Sequence, residues 1–103
     1  MFQATITDRS PRTVIVLEGE LDIGSTPKLV AIVRGVIDVG DDHIVLDLAD
    51  LSFIDSTGLG GLAHVTDLAR SVGAVVEVRS PSALATQVLE VTGLDCSIAI
   101  APA

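Results

Sequence analysis

The segment Phe53-Ile54-Asp55-Ser56-Thr57-Gly58-Leu59-Gly60 gathers the side chains best suited to chemistry into one short stretch. A carboxylate and two hydroxyls stand where an apolar strand pattern gives way to a helical one. In parallel α/β folds, the loops at that edge of the sheet carry function. The first-turn N–H groups of the following helix have no intrahelical partner and can hold a side-chain oxygen or a phosphate. Two readings of the segment stand side by side. In one, Asp55 or Ser56 is only a helix cap, and Gly58 and Gly60 serve tight packing. In the other, Ser56 is a hydroxyl that is modified or recognised. Gly60 and Gly61 fall in the first helical turn, where each costs about 1 kcal/mol relative to alanine. Such a pair implies a need for bare backbone, either for close packing or for a partner's approach.

Other chemistries fit less well. A nucleophilic Ser56 would need a base within reach. The histidines are His43, at the start of a strand pattern behind the loop, and His64, in the second turn of the helix and off its apolar stripe. Neither has an orienting carboxylate in a triad arrangement, and the glycine-flanked elbow of a hydrolase is absent. The glycine spacing matches no dinucleotide fingerprint, and no lysine follows for a nucleotide-triphosphate loop. Asp41 and Asp42 read as turn formers, and Asp47 and Asp50 as strand-edge residues. Two separate histidines and the single Cys96 make no ligand cluster, so no metal and no cofactor is expected.

The elements that position this segment follow from periodicity. Phe2, Ala4 and Ile6 alternate as in a half-buried strand. Asp8 to Arg12, with Ser10-Pro11, reads as a hairpin turn. Thr13 to Glu18 and His43 to Leu48 are aliphatic runs of the kind buried on both faces. Gly19 to Ser25 reads as a loop carrying Glu20 and Asp22. Thr26-Pro27 then opens a helix with Thr26 as its cap. That helix runs to about Val39, where Gly40 stops it. Leu29, Ile32, Val33 and Val36 form its inward stripe, while Val30 and Ile37 lie off it. A second helix, over about 57–72, turns Leu62, Val65, Ala69 and Val72 inward, with Gly73 after its end. Ala74 to Arg79 is a strand, 82–92 a third helix, and Ser97 to Ile100 a short final strand or an apolar tail. Helices alternating with strands predict an α/β domain: a four- to five-stranded mixed sheet packed against helices.

The chain has 103 residues and a formal net charge of −8. That length suits one domain, 1–103, with a core that needs no metal or disulfide. Only Phe2 and Phe53 are aromatic, and the six lysines and arginines form no stripe. Direct nucleic-acid binding is not expected, because it needs stacking rings or a basic surface. The same charge argues against an anionic membrane as partner. With no apolar run long enough to span a bilayer and no signal peptide, the cytoplasm is the expected location.

Three stretches resemble the STAS family, named for sulphate transporters and anti-sigma-factor antagonists. They are Glu20-Leu21-Asp22 followed by Thr26-Pro27, then Val45-Leu46-Asp47-Leu48 with Phe53 to Leu59, and Val91-Thr92-Gly93-Leu94. The resemblance spans essentially the whole chain and is most similar to a free-standing anti-sigma factor antagonist. It implies a STAS-like fold and a partner switch rather than an enzyme. The unphosphorylated form would bind a serine-kinase anti-sigma factor and free the sigma factor. Phosphorylation at Ser56 would release the kinase, and a metal-dependent serine phosphatase would restore the binding form. Thr57 occupies a position where a second serine is common. Glu20, Asp22, Asp55, Ser56, Thr57, Gly58, Leu59 and Gly60 make up the implied partner-binding set. Two other roles share the fold: a scaffold or transport-complex subunit without a phospho-switch, and a module that binds a small ligand at the same loop.

Overall fold

The computed structural model describes residues 1–79 and 99–101. The third helix expected over 82–92, Cys96 and the Val91-Thr92-Gly93-Leu94 stretch lie outside the described residues. The chain runs β1 (Gln3–Asp8), β2 (Thr13–Leu21), α1 (Thr26–Asp38), β3 (His43–Ile54), α2 (Ser56–Ser71), β4 (Val75–Arg79) and β5 (Ala99–Ala101). The strands form one sheet in the order β1-β2-β3-β4-β5. The opening hairpin β1–β2 is antiparallel, and β2, β3, β4 and β5 pair in parallel. This is the expected mixed α/β sheet.

The core lies where the helices meet one face of the sheet. Ile15 and Leu17 of β2, Ile44, Leu46 and Leu48 of β3, and Val76 and Val78 of β4 supply the sheet side. Leu29, Val33 and Val36 of α1 and Leu59, Leu62, Val65 and Ala69 of α2 supply the helix side. Each large aliphatic side chain fully buried here contributes about 1.5–3 kcal/mol. The two helices stop at glycines: Gly40 and Gly73 have φ of +98° and +79°.

Four expectations change. β2 reaches Leu21, so Gly19 to Leu21, read as loop, is strand, and β3 continues past the expected end at Leu48 to Ile54. Glu18 pairs with Asp50, Gly19 with Leu51, Glu20 with Phe53 and Leu21 with Ile54, with register shifts along the way. Their polar side chains point to water while their backbones complete the ladder. Helix α1 begins at Thr26 rather than after it, and Ser25 takes the cap position without a side-chain cap bond. Ile32 is only partly buried. Val72 was expected to face inward but is 63% exposed. α2 ends at Ser71, and Val72 follows as its C-cap with a non-helical φ of −115°.

The assigned face of α2 yields a stability contrast. Leu62 is fully buried, whereas Asp67 is exposed and pairs only with the exposed Arg70. Leu62→Ala is expected to cost about 2–5 kcal/mol, and Asp67→Ala less than about 0.5 kcal/mol. Urea denaturation measures both, and equal losses would mean that the face is misassigned.

Candidate functional site

β2 and β3 run parallel and end side by side, and each leads directly into a helix. The C-terminal edge of the sheet therefore brings together Glu20 and Asp22 from the first crossing, and Asp55, Ser56 and Thr57 from the second. The two crossings are tied by backbone: the Asp55 N–H donates to the Leu21 carbonyl at 3.2 Å.

Asp55 is the cap of α2. Its backbone is extended, and its Oδ1 accepts the Gly58 N–H at 2.9 Å. Its carbonyl accepts the first helical bond, from Leu59 N–H at 3.0 Å. Ser56 is thus left free of capping duty. It is exposed at the first helical position, with exposed Thr57 beside it. The N–H groups of these two positions belong to the set that a helix cannot satisfy internally.

The glycines divide by role. A Cβ on Gly58 would sit 2.5 Å from the Leu21 carbonyl oxygen, and one on Gly61 would sit 2.5 Å from Thr26 Cγ2. Both let α2 press against the end of β2 and the start of α1. Gly60 has open space around it and is exposed. The sequence pattern left packing and partner approach as alternatives. Packing accounts for Gly58 and Gly61, and not for Gly60.

The first crossing is closed on itself by Asp22 and Ser25. Asp22 Oδ1 accepts the N–H groups of Gly24 and Ser25 at 3.0 and 3.1 Å. Ser25 Oγ accepts the Asp22 N–H at 2.9 Å and donates to the Glu20 carbonyl at 2.7 Å. The Ser25 N–H, more than any other contact, holds the Asp22 carboxyl below its ordinary value. Sequence reasoning missed Ser25, which is buried. The Asp-x-x-Ser spacing of a side-chain-closed turn was the available signal. It also missed Ile23, which is 76% exposed at this edge, and it named Phe53, 43% exposed, within the segment without placing it in the partner-binding set. Glu20, also exposed, lies 3.4 Å from the N-terminal ammonium.

The histidines stand elsewhere. His43 Nε2 lies 2.9 Å from Glu77 Oε1 at the opposite end of β3, and His64 is exposed two turns into α2. Among the described residues, no group of three or more potential metal ligands converges. No helix among them is long and apolar enough to cross a membrane.

Two measurements test this geometry. Because Asp55 caps the helix, Asp55→Ala is expected to cost about 0.5–2 kcal/mol. Ser56→Ala should stay within about 0.5 kcal/mol. Chemical denaturation giving the reverse order would move the cap to Ser56. For Asp22 the folded-state pKa is depressed, so its contribution to stability is present above the ordinary value and is lost as pH falls through the depressed one. A carboxyl-carbon NMR titration should place its midpoint below 3.8, the ordinary value for aspartate. A midpoint at or above that value would mean that the loop's hydrogen bonds do not form in solution.

Comparison with known proteins bears on the whole chain. A family model described as "Mlab, STAS domain" matches residues 5–100. No curated protein gives a significant match. Among solved structures, an anti-sigma factor antagonist from Mycobacterium paratuberculosis superposes with a TM-score of 0.88 at 22% identity, over 100% of this chain and 87% of that one. At that identity it speaks for the fold alone. The anti-sigma factor antagonist SpoIIAA in its unphosphorylated form gives 0.77 at 27% identity, over 98% of this chain and 88% of that one. The Bacillus cell fate determinant SpoIIAA in its phosphorylated form gives 0.71 at 27%, over 98% and 91%. With nearly the whole chain matched by the family model and the fold shared throughout, the chain belongs to the STAS domain family.

Proposed function

We propose that this protein is an anti-sigma factor antagonist, not an enzyme, and that Ser56 is its phosphoacceptor. The unphosphorylated form binds a serine-kinase anti-sigma factor and frees the sigma factor. Phosphate on Ser56 releases the kinase, and a serine phosphatase resets the switch. The observation that carries this reading is the placing of Ser56. Its hydroxyl is exposed at the first position of α2, with capping already done by Asp55. It stands at the sheet edge shared with Glu20 and Asp22. The likeness to SpoIIAA, solved in unphosphorylated and phosphorylated forms, supports it.

The physical consequences of modification fit a binding switch. A phosphate adds about −1.5 to −2 charge and three acceptor oxygens. The unsatisfied N–H groups of the helix start favour that charge, so the fold survives. The surface changes far more. Exposed Ile23 and Phe53 flank the loop and offer a partner apolar contact. An interface closing over them would bury an unpaired dianion beside Ser56, at high cost in free energy. The edge already carries Glu20, Asp22 and Asp55, which provide nothing to neutralise it.

The test is calorimetric titration of three variants against the cognate kinase, with phosphosite mapping. Ser56→Ala should fold, bind and take up no phosphate. Ser56→Asp should fold and bind more weakly, although one charge on a planar group understates a phosphate. Thr57→Ala should still be phosphorylated. Phosphate at Thr57 would move the switch by one residue. Undiminished binding by stoichiometrically phosphorylated Ser56 protein would rule out the switch. Lack of modification by any cognate kinase would favour a scaffold role instead.

A further inference from the structure

Helix α1 carries apolar residues beyond its buried stripe of Leu29, Val33 and Val36, and these are only partly buried at the margin of the core. Val30 and Ile37, off the core stripe in sequence, border a trough between α1 and α2. Its upper stretch, about 460 Å³, is lined by Thr26, Pro27, Val30, Ala31, Arg34 and His64. Its lower stretch, about 390 Å³, is lined by Arg34, Ile37, Asp38, Leu68 and Val72. Arg34 lines both stretches, which adjoin there along α1. From Pro27 to Asp38 the groove is about 16 Å long at the helical rise. Val72, the C-cap of α2, is 63% exposed at its lower end.

The charges along the groove indicate what it accepts. Arg9, Arg70 and Arg79 each lie within ion-pair distance of an aspartate. Among the described residues, Arg34, like Arg12 and Lys28, has no such partner, and of these three only Arg34 lines the groove. One turn further along, the sign reverses at Asp38, and the adjoining cleft is bordered by Asp38, Asp41 and Asp42. The groove is therefore apolar along its floor, positive at its middle and negative at its lower end. It is open to solvent along its length, whereas small-molecule sites enclose most of their ligand. Two neighbouring helices with an apolar furrow between them suit a third helix laid along them.

We infer that the α1–α2 groove docks an amphipathic helix of a partner protein, with an acidic side chain against Arg34 and a basic one toward Asp38. About eleven residues of helix span the groove. The inference does not depend on the chemistry of Ser56, so it stands or falls separately from the phospho-switch.

The probe is a displayed library of sixteen-residue peptides in a helical frame, panned against the intact chain. Enriched peptides should be amphipathic, with Asp or Glu on the bound face. On 15N-labelled protein they should shift the amide signals of Val30, Arg34, Leu68 and Val72. Fluorescence anisotropy should show at least about tenfold weaker binding to Arg34→Glu, and an intermediate loss for Arg34→Gln. Lys28→Glu makes the same charge change on an exposed position of α1 outside the groove. It should stay within about twofold of wild type, as an unengaged charge does. Circular dichroism confirms that each variant folds. The inference is overturned if enrichment is indifferent to Arg34→Glu, if the peptides carry no acidic residue, or if the shifts cluster around Ser56. Failure of any peptide to enrich overturns it equally, and laurate occupying the groove would then make it a small-molecule site.

Discussion

The close approach of the first turn of α2 to the end of β2 constrains the rest of the molecule. The Leu21 carbonyl accepts the Asp55 N–H at 3.2 Å, and the same oxygen lies 2.5 Å from where a Cβ on Gly58 would be. Any side chain at 58 would push the helix off the strand. With the helix seated, Leu59 and Leu62 reach the core, Gly61 meets Thr26, and α1 and α2 come close enough to leave a groove between them. The parallel ladder of β2 with β3 enforces this. It runs past the aliphatic runs as far as Leu21 and Ile54, so both crossings leave the sheet at the same level.

This arrangement separates structural from exposed chemistry within a few residues. Asp22 and Asp55 are both carboxylates at the sheet edge, and both are engaged by backbone N–H groups of their own crossing. They hold the turns. Ser56, one residue on, has no such duty, and its hydroxyl faces water at the positive end of a sixteen-residue helix. A modification there leaves the hydrogen bonds that fix the loop in place. In the proposed switch it acts instead on the surface formed by the exposed Ile23 and Phe53 and the acidic Glu20.

Much of this was legible in the sequence, and the parts that were not share a physical cause. Aliphatic periodicity identifies the order of the described elements, and Gly40 and Gly73 mark the ends of α1 and α2, because those signals are local. The Asp55-Ser56-Thr57-Gly58 segment stands out for the same reason. The extensions of β2 and β3 do not, since Gly19, Glu20 and Asp50 are poor strand formers on their own and are held as strand by pairing across the β2–β3 ladder. Ser25 looks like any loop serine until the Asp22 backbone folds back on it. Val72 continues the inward spacing in sequence, but the helix stops one residue too early to use it. Val30 and Ile37 were visible as residues outside the core pattern. What they border could not be read until α2 lay beside α1.

Gly60 remains the sharpest contrast within this edge. Its neighbours Gly58 and Gly61 are required by contacts below 3 Å, so their cost to helix stability is offset by seating α2 on β2 and α1. Nothing within 4 Å would oppose a Cβ at 60, and the residue is exposed. The roughly 1 kcal/mol that glycine costs there gains no contact inside the domain. Its bare backbone lies one turn from Ser56, where another protein can approach the helix more closely than any side chain would permit. A first turn that is capped by Asp55, free of a side chain at Gly60 and hydroxyl-bearing at Ser56 suits the covering and uncovering that the proposed switch requires.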